Sequence, residues 1–426
     1  MHSRRRFLQN GTFAGAAFAA SVAQAENNCV SLPPAIASLK SVSNQARPIT
    51  REERRQRQEK ARQLMANNHL GAVFLMEGTS LTYFTGIEWH GGERLFALVV
   101  PAKGANFCVC PAFEQGRAYE QFGKAPEGEH ADIRIWQEDD NPYDRIAEGL
   151  RDRGIATGTL GIEENVRFVF SQGIAKAAPQ VQIASATPVT AGCRRIKSDH
   201  EIALMRLAAG VTLAAYEAAY RCLTPGMTKA QFEDLIEAAH KQLGFPGGAE
   251  AQIGDYSAFP HGSVAPQVIG ENTIVLMDGG CKVEGYVSDI TRSFVLGKAS
   301  DKAKQIFDIV HRAQATALSF ARPGLECQNV DGAARRVITD AGFGPDYKFF
   351  THRLGHGMGM DGHEWPYLVR GNTTKLEPQM TFSDEPGIYI RGEFGIRLED
   401  DMHISENGAE LFTPQSPSLE HPFDKA

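Results

Sequence analysis

The chain of 426 residues contains no Cys-x-x-Cys pair, and its seven cysteines are too dilute for a disulfide scaffold. This argues against a paired-cysteine zinc site and leaves the cysteines as free or buried thiols. Basic charge is also short. The net charge is −7, and without the three arginines of the first 25 residues there remain 41 basic against 51 acidic groups, or −10. Phosphate contacts need a basic face, so nucleic acid is not an expected partner. Beyond the N-terminus no segment reads as a membrane-spanning helix, and no repeat or low-complexity tract is evident. What is present is ordinary for a globular protein: 42% hydrophobic and 22% charged residues. At about 150 residues per domain, the length suggests two or three domains.

Residues 3–9 read SRRRFLQ, followed by the apolar, small-residue stretch GTFAGAAFAASVA and then Ala23-Gln24-Ala25. Basic, mildly apolar, small-x-small is the order of a secretory signal, placed at 1–25. It resembles a twin-arginine export signal, with Arg4-Arg5 followed by Phe7-Leu8, although Gln9 stands where many such signals have Lys. The expected location is periplasmic, and no membrane partner is expected for the mature form. Residues 26–48 carry Pro and Ser without periodicity and read as a linker. Residues 49–190 and 191–415 read as two domains, and 416–426 as a tail.

In the first domain an amphipathic helix runs from Arg51 to about Asn68. Candidate strands at 71–76, 94–100, 107–110, 133–136 and 160–163 then alternate with helices, among them 112–121 and 143–153, the pattern of an α/β domain. In the second, Ser198 caps a helix over 199–222 and Thr228 opens another with the capping-box pattern TKAQ. Strands at 273–278 and 286–296, helices at 301–321 and 328–341, and a β-rich end at 379–390 and 394–404 make this an α+β domain.

Its apolar strands contain acids that buried strands should lack. VLMDGG carries Asp278, YVSDITRSF carries Asp289, MTFSDEPGIYI carries Glu385 and GIRLEDDMHIS carries Glu399. A buried carboxylate must be paired, hydrogen-bonded or metal-bound. Separate salt bridges, with Arg292 and Arg397 as partners, are the plainer explanation. Histidines weigh against it: His352, His356 and His363 lie among glycines in HRLGHGMGMDGHEWP, and His261 lies in FPHGS. An oxygen-rich set with one imidazole suits Mn²⁺, Co²⁺, Fe²⁺ or Zn²⁺, and two such ions would offset four converging carboxylates.

Segment 261–404 resembles the metal-dependent pita-bread peptidases of the aminopeptidase P and prolidase family. The two Asp are eleven apart, the His falls in a Gly-flanked HxxxH segment (His352 to His356), the fourth ligand precedes Pro386-Gly387, and the fifth follows Arg397 by two. The resemblance implies a creatinase-like α/β N-terminal domain and a pita-bread α+β C-terminal domain. It implies two divalent ions, with Mn²⁺ first and Co²⁺, Zn²⁺ or Fe²⁺ as alternatives. Asp289 and Glu399 would bridge them, Asp278 would bind one, and His356 and Glu385 the other. A bridging hydroxide would attack the Xaa-Pro bond of a peptide with proline at its second position, with Glu385 as base. His261 and His363 would face the scissile amide. His352 would line the pocket beyond it, and Arg397 would orient Glu399 or meet a substrate carboxylate.

The resemblance also implies a homodimer or homotetramer. Asp384, Asp400, Asp401 and Gly362 depart from the family pattern without removing a ligand. Whether the enzyme is a dipeptidase or an aminopeptidase stays open. The alternative is a non-peptidase on the same scaffold: a creatinase-like amidinohydrolase, which would lack ligands, or a dimethylsulfoniopropionate lyase, which would carry an extra acid where Gly280 stands.

The export reading has a direct test. Changing Arg4 and Arg5 together to Lys is expected to hold the precursor in the cytoplasm, still active. Cell fractionation with N-terminal sequencing checks this, and normal periplasmic delivery would mean that a general secretory route suffices.

Overall fold

The computed structural model describes residues 31–424. The proposed signal and Cys29 lie outside them. Strand β1 (Ala72–Met76) shows why the first domain has two helical layers: all five of its residues are buried. Val73 and Leu75 face one core, with α2 (Arg51–Asn67) and α7 (Thr187–Arg194). Ala72, Phe74 and Met76 face the other, with α5 (Pro142–Asp152) and α6 (Phe168–Ala177). A strand covered on both sides reads as a continuous apolar run, which is what the sequence displays here. The sheet runs β4-β3-β2-β1-β5-β6, adding β2 (Ala97–Pro101), β3 (Phe107–Pro111), β4 (Asp132–Trp136), β5 (Gly158–Ile162) and β6 (Val181–Ser185). Strand β6 escaped the sequence reading because only its first residue is fully buried. Both cysteines of β3 are buried on one face, and the six cysteines among the described residues are free.

The second domain is built from two helix-on-sheet halves. Helices α8 (Asp199–Tyr220) and α9 (Lys229–Leu243) cover the sheet of β7 (Gly247–Ile253), β8 (Ile274–Val283) and β10 (Ile290–Val295), with the short β9 (Tyr286–Val287) paired to β8. Helices α10 (Asp301–Phe320) and α11 (Cys327–Asp340) share a core with the five-stranded sheet β12-β11-β13-β16-β17. Its strands are β11 (Gly355–Gly357), β12 (Glu364–Leu368), β13 (Thr381–Asp384), β16 (Asp400–Ile404) and β17 (Ala409–Leu411). The hairpin β14 (Gly387–Ile390) and β15 (Phe394–Arg397) stands apart. The capping box at Thr228–Gln231 starts α9 as the sequence indicated, and the expected Ser198 cap of α8 is a full box with Glu201. Where β8 meets the chain between β9 and β10, only glycine fits at 280: a Cβ there would lie 1.8 Å from the Ser288 carbonyl oxygen.

Four expectations need correction. Residues 31–48 are not a free linker, because Ile36 is buried against α8 and α9 and the Val42 amide donates to the Leu243 carbonyl at 2.9 Å. The tail docks too: Leu419 is buried and its carbonyl accepts from the Val295 amide at 2.9 Å. The domain boundary at 190 cuts α7, which completes the first domain. Helix α8 is long and apolar enough to cross a membrane, yet Met205, Ala208, Ala209, Ala215 and Tyr216 are wholly buried in the core.

The domains are joined by a buried polar cluster. Arg57 of α2 donates to the Tyr83 carbonyl at 2.9 Å and to the Tyr286 hydroxyl at 2.8 Å, and Tyr286 donates to Glu201 of α8 at 2.6 Å. Arg57 itself lies 3.2 Å from Glu201. Removing one partner of such a pair strands the other charge. Arg57→Met is therefore expected to lower stability by about 3–5 kcal/mol, measured by equilibrium urea unfolding. A loss below about 1 kcal/mol would equal that of an exposed pair and would show that Glu201 is not stranded.

Candidate metal centre

Three of the acids singled out in the sequence stand where strands break. The expected strand over 286–296 is interrupted at Asp289, between β9 and β10. That over 379–390 is interrupted at Glu385-Pro386, and that over 394–404 at Leu398-Glu399. Side chains of a regular strand alternate between faces, so a strand cannot easily aim acids from several directions at one point. A break frees the carboxylate from that alternation. Asp278 alone sits inside a continuous strand, β8.

All nine candidate residues line one cavity of about 460 Å³: His261, Asp278, Asp289, His352, His356, His363, Glu385, Arg397 and Glu399. Ligand atoms of Asp289, His356 and Glu399 lie within 4.8 Å of one another. The His356 Nδ1 lies 3.2 Å from the Gly357 carbonyl, which assigns the proton to that nitrogen. Its Nε2 then offers a lone pair, 3.3 Å from Glu385 Oε1 and 3.8 Å from Asp289 Oδ2. Burial, reinforced by His363, pushes His356 down to about 3, so protonating the ring does not resolve the clash. A lone pair facing carboxyl oxygens needs a proton or a metal cation between them, and an oxygen-plus-imidazole donor set fits a divalent metal.

The acids report the same strain. Burial raises Asp289 and Glu399 well above the usual carboxylate range, and neighbouring carboxylates push the same way. Glu385 is raised to about 7 by burial, with Asp278 adding and Arg397 opposing. Arg397 is committed to the protein. It pairs with Asp278 through Nη2, donates from Nε to Thr291 Oγ1 at 3.0 Å, and donates from Nη1 to the Pro260 carbonyl and the Tyr389 hydroxyl at 3.0 Å each. It lies 3.9 Å from Glu399. Orientation of the acids, rather than capture of a substrate carboxylate, is what this geometry supports.

His352 is committed too, with Nδ1 2.8 Å from the Arg353 carbonyl and Nε2 2.8 Å from the Tyr389 hydroxyl. Burial, helped by Arg397, pushes it down to about 3, so it serves as a fixed wall, not a proton carrier. The salt-bridge explanation holds in part. Arg397 does pair with Asp278, but Arg292 pairs at 2.6 Å with Asp400, outside the ligand set.

The sequence reading missed Thr291, whose hydroxyl lies 2.6 Å from Glu399 and 2.9 Å from Asp278. Its signal was its place two residues after Asp289, a hydroxyl inside the same apolar run. It also missed Arg353, which lines the cavity and stacks on Tyr367 at 4.0 Å. The acidic departures gain a place. Asp401 accepts the Asp289 amide at 3.0 Å, and Asp400 holds Arg292, which in turn donates to the Glu399 carbonyl at 2.9 Å. Asp384 is wholly buried, both its oxygens lack a partner, and burial raises it well above the usual range.

Comparison with known proteins agrees with this architecture. Metallopeptidase family M24 matches residues 203–406, and the creatinase/prolidase N-terminal domain matches 57–196. An Xaa-Pro dipeptidase of Lactobacillus delbrueckii subsp. lactis is 31% identical over 371 residues, covering 85% of this chain and 97% of the relative. The putative dipeptidase YkvY of Bacillus subtilis (strain 168) is 32% identical, covering 82% and 94%. The crystal structure of dipeptidase PepE from Mycobacterium ulcerans superposes with a TM-score of 0.82 at 30% identity, covering 88% and 99%.

The raised acids give a pH signature. A carboxyl raised on folding keeps a proton that the unfolded chain has lost, so its stabilisation disappears as pH climbs from the unfolded to the folded value. The lowered histidines act oppositely, but their contribution is complete above about pH 6.5. Metal-stripped protein is therefore expected to lose thermal stability as pH climbs past about 6.5, where Glu385 (raised to about 7) and then the more strongly raised Asp289 and Glu399 give up their protons, and a bound divalent ion to flatten that slope. Thermal unfolding with and without metal checks it; equal slopes would show that no protons are held in the ion's place.

Proposed function

The chain belongs to metallopeptidase family M24, and on that premise we propose that it is an Xaa-Pro dipeptidase working with two divalent ions, Mn²⁺ first among them. The observation that carries the reading is the His356 lone pair set against Glu385 and Asp289, in a cavity that gathers every candidate residue. Asp278, Asp289, His356, Glu385 and Glu399 would hold the ions. Thr291 fixes Asp278 and Glu399 through its hydroxyl, and Arg397 fixes Asp278 through its guanidinium. Bound divalent ions neutralise the acids and lower the pKa of water to near neutrality.

Glu385, 3.3 Å from the His356 ring nitrogen at the cavity wall, would take the proton released on attack and pass it toward the leaving amine. His363, half-exposed to the cavity and lowered by burial, donates to the oxygen on which negative charge develops. His261 steadies the amide from the other wall, and His352 closes the pocket beyond it. Arg353, not Arg397, is the cavity cation left to meet a substrate carboxylate. Dipeptide length is favoured by the two relatives described above, at 31% and 32% identity, which carry dipeptidase names. Periplasmic location and a homodimer or homotetramer complete the proposal.

Purified enzyme is expected to carry two divalent ions per chain, to split Ala-Pro, and to leave Ala-Pro-Ala intact. Free alanine from Ala-Pro-Ala would make it an aminopeptidase. Asp289→Ala or Glu399→Ala should cost at least one ion and nearly all turnover, and full activity in either would overturn the two-ion mechanism. His363→Ala should keep its ions and lose roughly 10²–10³ in kcat, the cost of one such donor.

A further inference from the structure

We propose that Arg194, on the last helix of the N-terminal domain, is a positioning residue for His363 of the catalytic domain. His363 ends a segment, 358–363, that has no regular secondary structure. Its ring lies 3.9 Å from that of His356 and opens on the cavity. The first half of the segment is tied to its own domain. The Val287 amide donates to the Gly359 carbonyl at 2.8 Å, and the Thr381 hydroxyl donates to the Met358 carbonyl at 2.6 Å.

The half that carries His363 is tied across the domain boundary. Arg194 Nη2 donates to Asp361 Oδ2 at 2.5 Å and to Glu364 Oε1, so one guanidinium nitrogen grips both acids that bracket His363. The Thr79 hydroxyl of the same N-terminal domain donates to the other Asp361 oxygen at 2.5 Å. Glu364 passes the grip to the backbone, because its Oε1 also accepts the amides of Met360 at 2.9 Å and Asp361 at 3.0 Å. Lys197 holds its second oxygen at 3.3 Å.

The approach is close. A Cβ at Gly359 would stand 2.9 Å from the Glu364 carboxylate and from Lys197. Burial opposes the Glu364 charge, yet Lys197 and Arg194 hold it down at about 2, so the carboxylate stays ionised and able to accept all these donors. Met360 adds apolar contact with the cores of both domains, whereas around His363 itself a small polar hollow of about 50 Å³ lies between Arg194, Thr190, Glu163 and His363. An imidazole that must donate in the transition state gains only if it is already in place, and a shift of about 1 Å can cost on the order of 10²-fold. This inference rests on the peptidase reading above for the role of His363, but the placement of the loop stands apart from it.

The test is Arg194→Gln in a double-mutant cycle with His363→Ala, joined to hydrogen exchange. If Arg194 acts through His363, the single change should lower kcat about tenfold or more, with KM within about threefold and both ions kept. The same change in the His363→Ala background should cost less than about twofold. Peptides covering 358–364 should exchange faster in Arg194→Gln, while those covering 274–283 and 381–390 stay unchanged. Equal losses in both backgrounds, or a general fall in protection with loss of metal, would overturn the proposal and leave Arg194 a plain domain tie. If wild type does not cleave Xaa-Pro at all, the peptidase reading fails by itself, and the exchange pattern alone decides whether Arg194 places the loop.

Discussion

A neutral ring nitrogen that can only accept, facing a crowd of buried acids, is the constraint on which the catalytic domain turns. The protein relieves it only in part, through the Ser383 hydroxyl 3.2 Å from Glu385 and through protons that the raised acids retain. Among the described residues, only histidines come within ion-pair distance of Asp289 and Glu385. Burial removes the water that would otherwise screen them, and it lowers His356 so far that the ring stays neutral. A fold can keep such a cluster only if the rest of the structure holds it together and a cation completes it.

The holding is done from behind. Arg397 gathers Asp278, Thr291 and Tyr389, and through Tyr389 it also fixes His352. Arg292 lies one layer further back, where it clips the Glu399 carbonyl and Asp400 together at the break between β15 and β16. These two guanidiniums serve different ends. The first keeps positive charge at the cavity wall, and the second keeps a broken strand in register. Donors set by planar, forked groups suit both, since each arginine must satisfy several acceptors at fixed angles.

Much of this was legible in the residues because chemistry leaves composition marks. Acids inside apolar runs and histidines among glycines are conspicuous, and all of them line the cavity. The helices with capping boxes were equally plain, since the box is local. Less legible was anything set by distant partners. The strands of the C-terminal half read as long continuous runs, because hydrophobicity persists across Asp289, Glu385 and Glu399 while the backbone leaves the sheet there. Thr291 and Arg353 carry no sign of their own; only the fold shows what they touch. Residues 31–48 and the C-terminal residues looked like connectors, yet scattered anchors without a repeat, such as Ile36, Leu39 and Val42 at one end and Leu419 and Phe423 at the other, pin them. Periodicity detects faces of elements and misses isolated anchors.

The location of the ligands gives the metal a structural role beside its chemical one. Asp278 and Asp289 belong to the sheet covered by α8 and α9, whereas His356, Glu385 and Glu399 belong to the strands packed with α10 and α11. At the site the protein's own links across this seam are polar, among them the Glu399 amide to the Thr291 carbonyl at 3.2 Å, the Thr291 hydroxyl to Glu399 at 2.6 Å, the Asp289 amide to Asp401 at 3.0 Å, the Ser293 hydroxyl to the Arg397 carbonyl at 2.9 Å, and the Arg292 and Arg397 contacts. A cation bound by both sets of acids closes the two halves on each other. It binds the folded chain and not the unfolded one, whose ligands are scattered over residues 278–399, so its binding free energy adds to that of folding. The same charge that would activate water therefore also removes the repulsion that the fold accumulates at its centre.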